Sequence, residues 1–410
     1  MKPEIKRVGT NFEFYWKEVQ IQATVQNIHQ HRDGRITAEV LFKSLAEIHP
    51  HILQTQINLL SERSKSAIAK RLNETYPLNE WDSIIEQLCV LTLEGYRKGE
   101  PLQFISTEEE AKPPEYLIKP LIPLNLPTTI FGLPGTMKSY IALLCATLST
   151  LPWDDNPLGF TTPKESTPAL YLDYESSRDL MSWRLKRLQK GFDLPSLFSP
   201  YRRCSMPFAD DLQEISKIVL ETGAKLIIID SLGGACGGDI YAPEPALRFF
   251  SALRTLNCTS LILAHTSKEA SKGKSIIGTV YFTAYSRQIW FSKVSQETGE
   301  NEVSVALFHQ KSNEDKLSPP IGLHFVFSED EVAVKRQDVQ GIAAFLEQLS
   351  LSQKILEILK ESPMTLSEMA DTLEASRNVM GVTLARLKSK GQVVKLSEKK
   401  WALKAQEEFI

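Results

Sequence analysis

The stretch from Thr128 to Leu148, TTIFGLPGTMKSYIALLCATL, limits the possible folds of this chain more than any other. Thr128 to Phe131 read as a short buried strand. Gly132-Leu133-Pro134-Gly135-Thr136-Met137-Lys138-Ser139 follow, and the chain then turns helical. Ile141, Leu144, Cys145 and Leu148 recur at i, i+3, i+4 and i+7, which predicts one apolar helix face. A strand, a glycine-containing loop ending in Lys-Ser and a helix form the setting of a phosphate-binding loop. Loop amides and the helix N-terminus, Gly132 through Tyr140, are the expected cradle for the phosphates of ATP. Lys138 is placed to reach the β- and γ-phosphates, and the Ser139 hydroxyl to ligate Mg²⁺. The usual pattern, G-x-x-x-x-G-K-[ST], has glycine directly before the lysine, where this chain has Met137. If that position needs φ > 0, a methionine there costs about 1–2 kcal/mol.

The 410 residues allow two to four domains. At 42% apolar and 24% charged residues the composition is that of an ordinary globular protein, and a net charge of −3 makes any nucleic-acid surface local. Five cysteines, Cys89, Cys145, Cys204, Cys236 and Cys258, lie scattered without a C-x-x-C, which argues against a disulfide framework or zinc knuckle and fits a reducing compartment. No apolar run approaches a membrane span and no signal peptide opens the chain, so the expected location is cytoplasmic.

Three domains are expected. Residues 1–112 read as a small α+β unit plus linker. Val19–Val25 and Ile36–Val40 alternate as a hairpin about His31-Arg32-Asp33-Gly34-Arg35, and helices follow, one capped by Ser61 through about Leu72 and one from Asn79 to Lys98. His29-x-His31 and His49-x-His51 read as surface histidines rather than metal ligands. Residues 101–127 carry six prolines and Glu108-Glu109-Glu110, a linker composition.

Residues 113–335 are the expected α/β core. Ala169–Glu175, Lys225–Ser231 and Ser260–Thr266 are continuous apolar strands alternating with helices, the sign of a parallel sheet covered on both faces. Ligands in such sheets bind at the carboxyl ends of strands, where Gly132, Glu175, Asp230 and His265 all fall. Asp230 is the candidate to hold Mg²⁺ opposite Ser139, and Glu175 to activate water, with Asp173 its competitor. His265 is placed to sense the γ-phosphate.

The order GLPGTMKS, YLDYE, LIIIDSLGG, LILAHTSK resembles the RecA-like P-loop ATPases, closest to plasmid-type hexameric replicative helicases and related phage and mobile-element ATPases. The resemblance covers about residues 115–335. It implies a water-activating role for Glu175 and a coupling role for His265. It also implies cations donated across a subunit interface, for which Arg287 and Lys311 are the candidates, and therefore a homo-oligomer, expected to be a hexamer. In rings of this kind a loop after the fourth strand lines the pore and tracks DNA, which here puts Lys268, Lys272 and Lys274 on the strand.

Residues 336–410 read as three helices and a hairpin, resembling a winged helix. Thr365-x-x-Glu368 is a capping box and Ser376 a cap. Arg377 to Lys404 holds eight basic residues against one acidic, so Arg377, Asn378, Arg386 and Lys388 on the third helix and Lys399 and Lys400 on the wing are expected near DNA. A helicase or translocase is thus expected. The alternatives are a nucleotide-gated DNA-binding regulator without motor activity and a decayed loop that binds ATP without turnover.

Overall fold

This computed structural model describes residues 2–9, 11–46, 50–78, 80–98, 113–196, 198–267, 275–397 and 399–404. The first unit is a five-stranded antiparallel meander in sequence order: β1 (Glu4–Val8), β2 (Asn11–Trp16), β3 (Ile21–Gln30), β4 (Ile36–Ser44) and β5 (His51–Asn58). Alternation puts Phe14, Trp16, Ile21, Ala23, Val25, Val40 and Phe42 on one face, fully buried under α1 (Glu62–Thr75) and α2 (Trp81–Lys98). Ser61 caps α1 by accepting from the Ser64 amide. The expected hairpin is therefore the centre of a larger sheet. β1 and β5 carry too few apolar residues in alternation to announce themselves. His31 Nε2 lies 2.9 Å from Thr37 Oγ1, His49 lies outside the described residues, and among those described no cluster of three or more histidine, cysteine or carboxylate side chains comes together.

The core opens with β6 (Tyr116–Ile118) and β7 (Ile122–Pro123), a hairpin within the stretch expected to be linker. Leu117, Ile118, Leu121 and Ile122 are buried, so linker character ends before Tyr116; Glu108–Glu110 lie outside the described residues. Next come β8 (Pro127–Gly132), α3 (Lys138–Thr150), β9 (Ala169–Asp173), α4 (Arg178–Gly191), β10 (Tyr201–Arg203), α5 (Leu212–Thr222), β11 (Leu226–Asp230), α6 (Leu232–Cys236), α7 (Pro243–Leu256), β12 (Thr259–His265) and α8 (Val280–Tyr285). Then β13 (Gln288–Ser295), β14 (Glu302–Ser312), β15 (Ile321–Phe327) and β16 (Val332–Gln337) complete a nine-stranded sheet of order β10-β9-β11-β12-β8-β13-β14-β15-β16. The strands from β10 to β13 run parallel and the last three antiparallel, so the expected parallel sheet is the larger part of a mixed one.

Successive residues of β11 face opposite layers. Ile227 and Ile229 join Phe249, Leu253 and Phe345 on one side, and Leu226 and Ile228 join Ile141, Leu144 and Leu148 on the other. The expectation of one apolar face on α3 is too narrow. The β6–β7 hairpin packs into the same cluster as α3, and Tyr140 through Ser149 are all buried. β9 stops at Asp173, which leaves Glu175 in the turn beyond it.

Val339, Phe345 and Leu349 also belong to the core, Phe345 with its ring 6.2 Å from Phe308, so the core continues past residue 335 through Leu349. Beyond it lie α9 (Leu351–Glu361), β17 (Met364–Thr365), α10 (Leu366–Thr372), α11 (Arg377–Ser389), β18 (Val393–Lys395) and β19 (Lys400–Leu403), with a three-stranded sheet of order β17-β19-β18. Ser350 with Gln353 and Thr365 with Glu368 form capping boxes, and Ile355, Leu359, Met369, Met380, Leu384 and Trp401 are its buried centre. Among the described residues no helix is long and apolar enough to cross a membrane. If Phe345 is core, Phe345→Ala lowers unfolding stability by about 3–5 kcal/mol in urea denaturation; a loss under 1 kcal/mol would show that residues 336–349 form a dispensable tether.

Candidate functional site

The sheet register brings the candidate residues to one edge. Gly132 pairs with His265 across β8 and β12, and Asp230 pairs with Asp173 across β11 and β9. Gly132 tolerates no side chain, since a Cβ would lie 2.5 Å from Ser292 O and 2.7 Å from Thr136 Oγ1. Leu133 to Gly135 form the exposed crest of the loop, with Gly135 at φ +80°. Met137 has φ 61° and ψ 15°, so the left-handed position that usually takes glycine is kept here with a methionine, at a cost of about 1–2 kcal/mol. Ser292 Oγ donates to Thr136 O (2.8 Å) and Thr136 Oγ1 to Leu133 O (2.9 Å), which pins the loop from β13 and from within.

The first amides of α3 have no partner within the helix, and the helix dipole adds positive potential there. Lys138 is 9% exposed; its Nζ donates to Leu133 O (2.8 Å), Gly132 O (3.2 Å) and Thr136 Oγ1 (3.3 Å). Burial pushes this ammonium down to about 8, against the pull of Asp230 and Glu175. Desolvation makes the charge readily satisfied by an anion. Tyr140 contributes no side chain to the loop: its ring packs edge-on to Phe325 and Phe327 beneath the Arg184 guanidinium.

Asp230 is 5% exposed, and burial raises its pKa. Ser139 Oγ donates to its Oδ2 at 2.8 Å and Tyr171 Oη to the same oxygen at 2.6 Å, while Oδ1 receives no hydrogen bond from a described residue. A hydroxyl and a carboxylate within one hydrogen bond of each other offer the hard oxygen ligands that Mg²⁺ takes, so these residues fit the expected ion.

Asp173 is fully buried and accepts from the Glu175 amide (2.9 Å), the Ser176 amide (2.7 Å) and Tyr201 Oη (2.9 Å). It builds the turn that carries Glu175, which removes it as a competitor for activating water. Glu175 stays about half exposed. His265 Nε2 lies 3.5 Å from its Oε1 and Ser231 Oγ donates to the same oxygen. The His265 contact, then the Ser231 bond, hold its carboxyl below the usual range against partial burial. His265 Nδ1 is buried without a partner among the described residues.

Arg287 and Lys311 are at the opposite end of the sheet. The Arg287 amide donates to Pro127 O at the start of β8 (2.9 Å), roughly 17 Å of strand from Gly132. Arg287 is exposed. Lys311 Nζ donates to Thr283 O (2.8 Å), Ala284 O (2.8 Å) and Ser286 O (2.7 Å) and so caps α8; with all its protons committed, it is not placed as a phosphate-seeking finger. Lys268, Lys272 and Lys274 lie outside the described residues. The base of their loop is tied to β12 by Ile277 N to His265 O (2.9 Å) and Ser267 N to Ser275 O (3.3 Å). Arg377, Asn378, Arg386 and Lys388 are exposed on α11 with Val379 and Val382; Lys399 is exposed in the β18–β19 turn, and Lys400 is half-buried.

Sequence reasoning missed Tyr171, Ser231 and Ser292. Tyr171 left a signal, because a tyrosine in a continuous apolar strand needs a partner for its hydroxyl. Removing that donor with Tyr171→Phe should raise the Mg²⁺ concentration for half-maximal binding of an ATP analogue by about 10- to 100-fold. An unchanged requirement would make Tyr171 a packing residue only.

Residues 97–271 match a family described as the AAA domain, a span that holds the loop, Glu175, Asp230 and His265 and stops short of Arg287. Among solved structures, a KaiC-like protein from the hyperthermophilic archaeon Pyrococcus horikoshii matches with a TM-score of 0.36 and 14% identity, over 53% of this chain and 93% of that one. No curated protein matches. The family match and the strand–loop–helix geometry support a P-loop ATPase core.

Proposed function

We propose that this protein is a Mg²⁺-dependent ATPase whose turnover is coupled to DNA, a RecA-like helicase or translocase serving replication or recombination of a plasmid, phage or mobile element. The observation that carries the ATPase reading is the Ser139–Asp230 contact directly beneath the loop, with Glu175 on the same rim. Triphosphate oxygens replace the loop carbonyls as acceptors for Lys138 and meet the free amides at the start of α3. Ser139 and Asp230 would hold Mg²⁺, which would supply charge neutralisation on the phosphates. Glu175, steadied by Ser231 and His265, takes a proton as a water oxygen bonds to the γ-phosphorus and the bond to the β,γ-bridging oxygen breaks, giving ADP and phosphate.

Coupling to DNA is supported by His265, which touches Glu175 on one side and shares its strand with the base of the lysine loop on the other. The exposed basic face of α11 supports a second contact, with duplex DNA through a winged helix. Arg287, exposed and distant from its own loop, suits donation to the next subunit of a homo-oligomer, a hexamer by the resemblance. The regulator reading draws on Lys311, whose role as a helix cap leaves only one of the two finger candidates available.

The test is ATPase activity of the full chain with and without single-stranded DNA, alongside molar mass with nucleotide. Single-stranded DNA should stimulate turnover, and Lys138→Ala should lower it by at least about 100-fold, a loss of roughly 3 kcal/mol of transition-state stabilisation. Turnover that survives Lys138→Ala would contradict the ATPase reading. Turnover on DNA with no strand displacement would favour the regulator.

A further inference from the structure

The amino-terminal ends of the parallel strands, opposite the phosphate loop, border two cavities of about 590 and 520 Å³. Asn125, Asn257 and Cys258 line both, so the two are adjacent halves of one cleft-like face. One half carries Arg254, Arg287 and Tyr285 over the apolar Leu247 and Phe250. The other carries Lys6, Lys225 and Tyr116 beside Val219. Among the described residues no aspartate or glutamate lines either half. All four cations are exposed, and none has an ion-pair partner among the described residues.

A chain of net charge −3 therefore gathers four positive charges along this face, with no acid among the described lining residues. Such a grouping repels itself until an anion enters. The two halves also repeat one inventory: a pair of cations, a tyrosine and an apolar wall, joined by two asparagine side chains that can both donate and accept. Tyr285 is 45% exposed, and its ring is held in place by stacking on Phe250 at 5.5 Å. A repeated arrangement of this kind suits a polymer with one negative charge and one flat face per unit.

We propose that this cleft binds a segment of single-stranded nucleic acid, with phosphates on Lys6, Lys225 and Arg254 and bases against Tyr116 and Tyr285. The site is separate from the lysine loop, which leaves the other end of the sheet, and from α11. It requires no nucleotide hydrolysis, so it stands or falls independently of the ATPase reading.

The experiment is fluorescence anisotropy of a labelled oligothymidylate with the nucleotide-free full chain across a salt series. Each cation engaged on a single strand contributes about 0.7 to the slope of log K against log salt. The combined variant Lys6→Gln, Lys225→Gln, Arg254→Gln should flatten that slope by about 2 and weaken low-salt binding at least tenfold. Arg377→Gln with Arg386→Gln should leave the cleft's share of the slope in place. An unchanged slope in a triple variant whose thermal unfolding matches the parent would overturn the proposal. So would wild-type chain that binds polyglutamate and not the oligonucleotide, which would make the cleft a seat for an acidic protein segment. Should the triple variant fail to fold, a photoreactive benzoylphenylalanine at Asn257 in the otherwise native chain is expected to cross-link the oligonucleotide, and no cross-link would contradict the site.

Discussion

A carboxylate at the end of a fully buried strand is the constraint around which the core is arranged. Asp230 ends β11 almost out of reach of solvent, and a charge placed there is costly unless its oxygens find donors. Two hydroxyls from different elements supply them on one oxygen, Ser139 from the first turn of α3 and Tyr171 from β9. β12 lies between β11 and β8, so the Ser139 bond ties the loop to a strand it does not adjoin. Tyr171 closes the same contact from the other neighbour of β11. The phosphate loop is thereby held against the sheet by side chains as well as by its own strand.

The rest of the edge follows from register. Asp173 sits level with Asp230, and His265 level with Gly132. Asp173 is spent on folding the turn after β9, and that turn delivers Glu175 to Ser231 and His265. Loop geometry imposes a cost as well: Met137 holds a left-handed backbone without the freedom of glycine, which is tolerable because the surrounding loop is fixed by Thr136, Ser292 and the Lys138 ammonium. One end of the sheet is thus arranged for phosphate and a cation, and the other carries a surplus of positive charge.

The strand–loop–helix order and the strand-end residues were legible because continuous apolar runs, glycine spacing and the Lys-Ser pair are local in sequence. Partners across the sheet were not. Nothing in the neighbourhood of Tyr171 names Asp230, and nothing near Lys311 announces that α8 ends against its ammonium. Asp173 and Glu175 look interchangeable as text, yet one is buried beneath a tyrosine and the other reaches a histidine. The β6–β7 hairpin was hidden by its prolines, and β10 and the segment through Leu349 by being too short or too irregular to show a period. Charge patterning was legible on α11, where Arg377, Arg386 and Lys388 fall within one short stretch of sequence. It was hidden in the opposite cleft, where Lys6, Lys225, Arg254 and Arg287 meet only once the chain is folded.

The central claim is that Ser139 and Asp230 together make the cation half of a nucleotide site. The most direct measurement is equilibrium binding of a non-hydrolysable ATP analogue to the full chain, with and without Mg²⁺, compared with Asp230→Asn. Mg²⁺ should tighten binding to the wild-type chain by about tenfold or more, and that gain should vanish in the variant while its Mg²⁺-free affinity stays the same. An equal gain in both chains, or no binding to either, would contradict the account.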